Sequence, residues 1–463
     1  MDRRKVLAAV CGGLVLTLGG SAVAAGPDDA GLRIEQLLAG HSMKYFGVKA
    51  GLPSSSTASI DAATATANPL ALATLAPGLK ARVVTSGQAG PNLDMAALWP
   101  PSSPQWLISC NEQGASDPAL QRINLVTGVA TTIATGLVSC DPAHTTPWGT
   151  VIFGEEAGST GAMYEMLDPL AVTNVVIDRV NGVVSGGTGS SLVVRRDALG
   201  FLSFEGIGFL PSGVAYYGDE LSPASGAAAG SYYKFIPSSP WTGAPVTSLA
   251  ASPLASGHVF GLQVGQGSNT GPGMSYGDGV WVPLAAGQLR PQASAAHLTG
   301  YYRPEDLNLD EGLLASGGVR FCGNNTGREE AHYYGETICV RDGTLASALG
   351  GTSVPQVSLL VAGSPAINMP DNIAYQPHRG NWIIHEDAAT EFEGPHNNDL
   401  WSCLDDGGDA NLQSDGCLRI GTLNDLTAEW TGGLFDPTGK HFYVSIQHNI
   451  TGKGVILDIT GWL

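Results

Sequence analysis

One pattern recurs along this chain and restricts what it can fold into: a turn residue, four or five apolar or β-branched residues, then an abrupt cluster of acids or amides. The first three copies run Gln105-Trp106-Leu107-Ile108 into Asn111-Glu112, Gly149-Thr150-Val151-Ile152-Phe153 into Glu155-Glu156, and Gly213-Val214-Ala215-Tyr216-Tyr217 into Asp219-Glu220. The last three run Gly318-Val319-Arg320-Phe321-Cys322 into Asn324-Asn325, Gly380-Asn381-Trp382-Ile383-Ile384 into Glu386-Asp387, and Lys440-His441-Phe442-Tyr443-Val444 into Gln447-His448. Apolar runs this short between turn signals read as buried strands. Their turn positions lie 44, 64, 105, 62 and 60 residues apart, the uneven spacing of repeated units that carry insertions. With 63 Gly, 28 Pro and only 14% charged residues, the chain is suited to many strands joined by tight turns. The pattern predicts an all-β fold, a six-bladed β-propeller with inserted loops, in which strand ends from separate blades converge on a central metal site.

The ends of the chain and its charge bound the setting. Met1-Asp2-Arg3-Arg4-Lys5, an apolar run to about Gly20 and Ala22-Val23-Ala24 read as a signal peptide over residues 1–25, and the Arg3-Arg4 pair suits twin-arginine export. Residues 26–85 are expected to wrap as an N-terminal segment onto a propeller domain spanning 86–463. The expected location is periplasmic or secreted, with no membrane span. With 41 acidic against 22 basic residues and a net charge of −19, the surface is wrong for nucleic acid. Cys11 falls in the leader, and the other six cysteines allow fifteen pairings. Cys403 with Cys417 and Cys322 with Cys339 flank short segments and make candidate bridges. Cys110 and Cys140 are left as either a disulfide or free thiols.

Carboxylates and amide oxygens are hard ligands for Ca²⁺, Mg²⁺ or Mn²⁺, and a thiolate among them would favour a transition metal. No His-x-x-x-His or Cys-x-x-Cys spacing points to a standard zinc site. Neighbouring acids such as Glu155-Glu156 project to opposite faces of an extended chain, so one of each pair is expected to reach a metal.

The run Ser139-Cys140-Asp141-Pro142 through Thr146-Pro147-Trp148-Gly149-Thr150 to Glu155-Glu156 resembles the cysteine, TPWGT and EE block of the PhoX-type alkaline phosphatases. Further matches follow in order: Asn111-Glu112, Phe204-Glu205-Gly206, Asp219-Glu220, Arg303-Pro304-Glu305-Asp306, Pro370-Asp371-Asn372-Ile373, Glu386-Asp387, and Glu429 leading to Gln447-His448. They span about residues 90 to 455. Phe204 stands where that family usually has His, and Asn449 where it often has Pro. The resemblance implies a phosphoric ester hydrolase holding iron and calcium. Its metal ligands would be Glu112, Cys140, Glu156, Glu205 and Glu305, with Glu155, Asp219, Asp371 and Asn372 behind them. Arg303 would grip the phosphate of small phosphorylated substrates, with Glu305 beside it. A metal-held oxygen would attack phosphorus, with His258, His297 and His448 as candidate acids for the leaving group. The chain is expected to act as a monomer. Two other readings stay open: a calcium-dependent lactonase-like propeller, and a noncatalytic propeller pinned by metal.

Overall fold

A computed structural model describes residues 36–223, 229–265, 276–329, 332–388, 396–407 and 411–463. The expected signal peptide at 1–25 lies outside the described residues. The fold is all-β and propeller-like. Its strands form five hydrogen-bonded sheets of four, four, five, six and nine strands. All six repeated segments of the sequence are strands: Trp106–Asn111, Val151–Glu155, Ala215–Asp219, Gly318–Asn325, Trp382–Glu386 and Phe442–Gln447.

Each of these six pairs antiparallel with the strand that precedes it: Leu93–Trp99, Cys140–Thr145, Phe204–Phe209, Pro304–Leu309, Pro370–Tyr375 and Glu429–Phe435. These six preceding strands are the inner strands of the molecule. Each ends a sheet, the nine-stranded sheet having one at either end. Each touches the next in order, and Glu429–Phe435 returns to touch Leu93–Trp99, so they close a ring. Such close approach needs small residues at the contacts. A side chain on Gly206 would meet Asp306 Oδ1 at 2.1 Å and the Leu307 amide nitrogen at 2.2 Å. Gly432, at φ +61°, leaves room for the Asp94 carbonyl, which a Cβ would approach to 2.3 Å.

Large side chains fill the space between neighbouring sheets, among them Phe204, Tyr217 and Tyr233 on one side and Trp430 and Phe442 on another. The N-terminal segment adds outer strands. Ala73–Leu75 pairs with Cys417–Leu423, and Lys80–Ser86 pairs with Val455–Thr460 near the C-terminus. The last sheet is therefore built from both ends of the described chain, which closes the ring by hydrogen bonding. No helix among the described residues is long and apolar enough to cross a membrane.

Three disulfides form: Cys110–Cys140, Cys322–Cys339 and Cys403–Cys417. The first corrects the expectation that Cys140 ligates a metal. Cys140 opens its inner strand facing Cys110 on the neighbouring sheet, with the Cα atoms 5.0 Å apart, and its sulfur is spent in the bond.

Candidate metal centre

A β-bulge recurs in every inner strand. Pairing slips register just after the strand begins, between Leu93 and Ala96, Cys140 and Ala143, Phe204 and Ile207, Pro304 and Leu307, and Pro370 and Ile373, and between Thr431 and Leu434 in the last. Bulges re-aim side chains. Here five of the six strands carry an acid as their second residue, Asp94, Asp141, Glu205, Glu305 and Asp371, and all five face one central cavity of about 170 Å³. Residues just past the tips of the paired strands, Glu112, Glu156, Glu220, Asp387 and His448, line the same cavity, together with Arg303, Asn372, Glu429 and Gln447.

The cavity concentrates like charge. Burial, followed by the negative charge of neighbouring acids, pushes the carboxyls of Asp94, Asp141, Glu205, Asp371 and Glu429 well above the ordinary range. Burial and then the nearby Glu220, Glu112 and Glu305 raise Glu156 to about 9. Glu305 rises to about 8 because burial outweighs the adjacent Arg303. The polar contacts are few. Gln447 Nε2 donates to Glu112 Oε2 at 2.6 Å, Thr326 Oγ1 to Glu305 Oε1 at 3.0 Å, and His448 Nδ1 sits 2.8 Å from Glu429.

Cation fit is tested by the oxygens left over. Asp94 Oδ1 and Asp141 Oδ1 are buried with no hydrogen-bond partner. Each belongs to a carboxylate group whose ligand atoms lie within 4.8 Å of one another, Asp94 with Glu112 and Asp141. Asp141 with Glu156 and Glu205, and Asp371 with Asp387 and Glu429, form two more such groups around the cavity. Buried, unpaired oxygens of carboxyl groups at this spacing fit a hard cation.

Of the residues expected from sequence, Glu112, Glu156, Glu205, Arg303, Glu305, Asp371 and Asn372 meet in the cavity. Three do not. Cys140 is in its disulfide. Glu155 turns into the sheet, where Arg179 Nε and the Val138 amide hydrogen-bond its Oε1 at 2.6 and 3.0 Å. Asp219 is gripped by Arg290, with Nε and a terminal nitrogen 2.9 and 2.7 Å from its two oxygens. Among the described residues Arg303 is the only guanidinium lining the cavity, but Glu220 Oε1 and Glu305 Oε1 hold it at 2.8 and 3.1 Å. His258 and His297 are not among the lining residues, and His448 is. Sequence reasoning passed over Asp94 and Asp141 as site residues. Their signal was an acid at the second position of the inner strand, repeated at Glu205, Glu305 and Asp371.

The TPWGT run is a hairpin turn remote from the cavity lining. Thr146 and Thr150 hydroxyls meet at 2.8 Å, and Trp148 Nε1 and Thr150 Oγ1 both donate to buried Glu165, which Arg196 also pairs. Its residues hold the strand pair together.

Fold and site together define an all-β, propeller-like protein with an acid-lined central cavity. No protein-family model and no curated protein matches the sequence. Solved structures of similar shape include an oxidoreductase (glucose dehydrogenase) of Thermus thermophilus, with 12% identity, TM-score 0.43, and coverage of 82% of this chain and 99% of that one. A gluconolactonase of Xanthomonas campestris has 12% identity, TM-score 0.40, and coverage of 89% and 99%. An α-L-arabinofuranosidase of Fusarium graminearum has 10% identity, TM-score 0.42, and coverage of 83% and 98%. At such identity the likeness concerns the fold.

The expectation of a phosphoric ester hydrolase is corrected. Within this chain the phosphatase reading loses its supports: the thiolate ligand is oxidised, and the motif block is a structural hairpin.

Proposed function

We propose that this chain is an exported hydrolase of neutral cyclic esters, lactones, which works with calcium held by the central carboxylates of a six-bladed propeller. The observation that carries the reading is charge. Ten carboxylates line one cavity against a single guanidinium among the described residues. With every carboxyl ionised, a dication in each of the three carboxylate groups would still leave three negative charges uncompensated, so a neutral ester enters at lower electrostatic cost than a phosphate dianion. Calcium is named and iron is not, because no thiolate remains to select a softer metal. Six blades are counted by dividing the nine-stranded sheet where Gly277–Leu284 meets Gln356–Ala362 through two residue pairs. Export is supported by three disulfides and the leader-like first 25 residues. Kinship with PhoX-type proteins is proposed on the 139–156 block, as descent of a fold and not of a reaction.

When bound, the cation supplies polarisation of the ester carbonyl and a lowered pKa for a nearby water. The chain's own residues do the rest. Glu305, fixed by Arg303 and Thr326, accepts a proton from the attacking water in its ionised form and, as a carboxyl whose pKa burial raises to about 8, returns that proton to the departing ring oxygen. Arg303, about a third exposed and anchored by Glu220, faces the cavity as a donor to the developing oxyanion.

Calorimetry with calcium and a proton-release assay over a panel of aldonolactones, with and without chelator, test the reading. Calcium binding with chelator-sensitive ring opening is expected. Binding with no ring opening on any lactone leaves a noncatalytic propeller, and no calcium binding removes the cation centre itself.

A further inference from the structure

In four of the six repeated acid or amide pairs the second residue alone faces the cavity, and what the first residue does is the same in all four sheets. Asn111, Glu155, Asp219 and Glu386 end their strands at equivalent register, opposite Leu93, Cys140, Phe204 and Pro370, the first residues of the inner strands. All four are buried, none more than 1% exposed. Each side-chain oxygen accepts the backbone N–H of a residue just ahead of the inner strand: Asn92 at 3.0 Å, Val138 at 3.0 Å, Ser203 at 3.2 Å and Asn368 at 3.0 Å. The following residue reinforces the tie through its own backbone. The amides of Glu112, Glu156, Glu220 and Asp387 donate to the carbonyls of Asn92, Ser139, Ser203 and Met369 at 2.8 to 3.1 Å.

A double bracket of this kind fixes the entry of the inner strand against the tip of its neighbour, directly before the bulge that aims the strand's acid. Asp94 faces the cavity beside Glu112, Asp141 beside Glu156, Glu205 beside Glu220, and Asp371 beside Asp387. The sheet holding Arg303 departs from the rule. Asn325, at the equivalent position, accepts from the Tyr232 hydroxyl instead, and Arg303, immediately ahead of its inner strand at φ +54°, lines the cavity.

We infer that Asn111, Glu155, Asp219 and Glu386 are positioning residues for the cation centre: they act as hydrogen-bond acceptors that set the distance between paired carboxylates, and none of them touches the cation. This rests on reading the cavity as a cation site. Because Asn111 does with an amide what the other three do with a carboxylate, the shared element is the oxygen that accepts the backbone N–H; the charge of Glu155 and Asp219 serves their separate pairing with Arg179 and Arg290. Groups that hold a metal's ligands in place without touching the metal typically govern about 10- to 100-fold in metal affinity.

The test is calcium affinity by calorimetry on full-length variants, with Glu156→Gln as the reference for a lost ligand. Glu155→Gln and Asp219→Asn keep an acceptor and are expected to bind as the native protein does. Glu155→Met and Asn111→Leu remove it and are expected to weaken binding about 10- to 100-fold. Weakening in Glu155→Gln equal to that in Glu156→Gln would overturn the inference by making Glu155 a ligand. Native affinity in Asn111→Leu or a folded Glu155→Met would overturn it too. Should Glu155→Met fail to fold, Glu155→Gln and Asn111→Leu decide. A native protein that binds no calcium would overturn the cation reading and this inference together, whereas a binding native protein with indifferent variants overturns only this one.

Discussion

Glu156 and Glu305 show how much the cavity costs the fold when it holds nothing but acids. Their folded carboxyls titrate near 9 and 8, against an ordinary value of 4.5, chiefly because they are buried. A carboxyl with a raised folded pKa lends stability below its unfolded pKa and loses it as pH climbs through the folded one. Cation-free protein should therefore melt progressively lower between pH 5 and pH 9, by on the order of 5 °C or more for this size of chain. Saturating calcium should abolish most of that decline. A melting temperature independent of pH in chelator would refute the account. Glu156→Gln removes one of these charges, so it should melt higher than native at pH 9 in chelator while binding calcium less tightly, by at least the about 10- to 100-fold typical of losing a group that only positions a ligand.

At the scale of elements, closeness of the inner strands is the quantity under strain. Gly206→Ala pushes a methyl into the Asp306 carboxylate and the Leu307 backbone, neither of which is free to retreat. A loss of about 1 to 3 kcal/mol in urea denaturation is expected, with an unchanged slope. Asp306 gives the reason it cannot move away: its Oδ2 accepts from the Ile373 amide at 3.2 Å, tying the Pro304–Leu309 strand to Pro370–Tyr375. The Cys110–Cys140 bond joins two neighbouring sheets across 30 residues of chain. Replacing both cysteines by serine should cost about 3 to 4 kcal/mol by loop-closure entropy, and intact stability in that variant would show that the ring is held at this point by packing alone. Bulges explain why sequence reasoning named Glu155 beside Glu156, and Asp219 in place of Glu220. Alternation says that only one of two adjacent acids faces inward, but which one depends on a register slip in the partner strand that local sequence does not encode.

For the whole molecule, closure is the event that assembles the centre. The last sheet takes Lys80–Ser86 as its outer strand on Val455–Thr460, so the ring depends on residues from both ends. Deleting residues up to 86 would expose the Val455–Thr460 edge and open the contact between Glu429–Phe435 and Leu93–Trp99. The shortened chain should aggregate or melt well below native, as size-exclusion chromatography and thermal scanning would reveal. Closure also brings Gln447 to Glu112, residues 335 apart in sequence.

Taken alone, the sequence determined that the chain is built of strands and where six of them lie, because apolar runs and turn residues act over a few positions and need no distant partner. It also located half of the ten acids that meet, Glu112, Glu156, Glu205, Glu305 and Asp371, and passed over Asp94 and Asp141 although five of the inner strands carry an acid at one repeated position. Tertiary structure decided that Cys140 meets Cys110, that Arg303 answers to Glu220 and Glu305, and that the TPWGT run braces a hairpin around Glu165. Those outcomes turn on which side chains arrive within a few ångströms across different sheets, and that proximity exists only once the ring has closed.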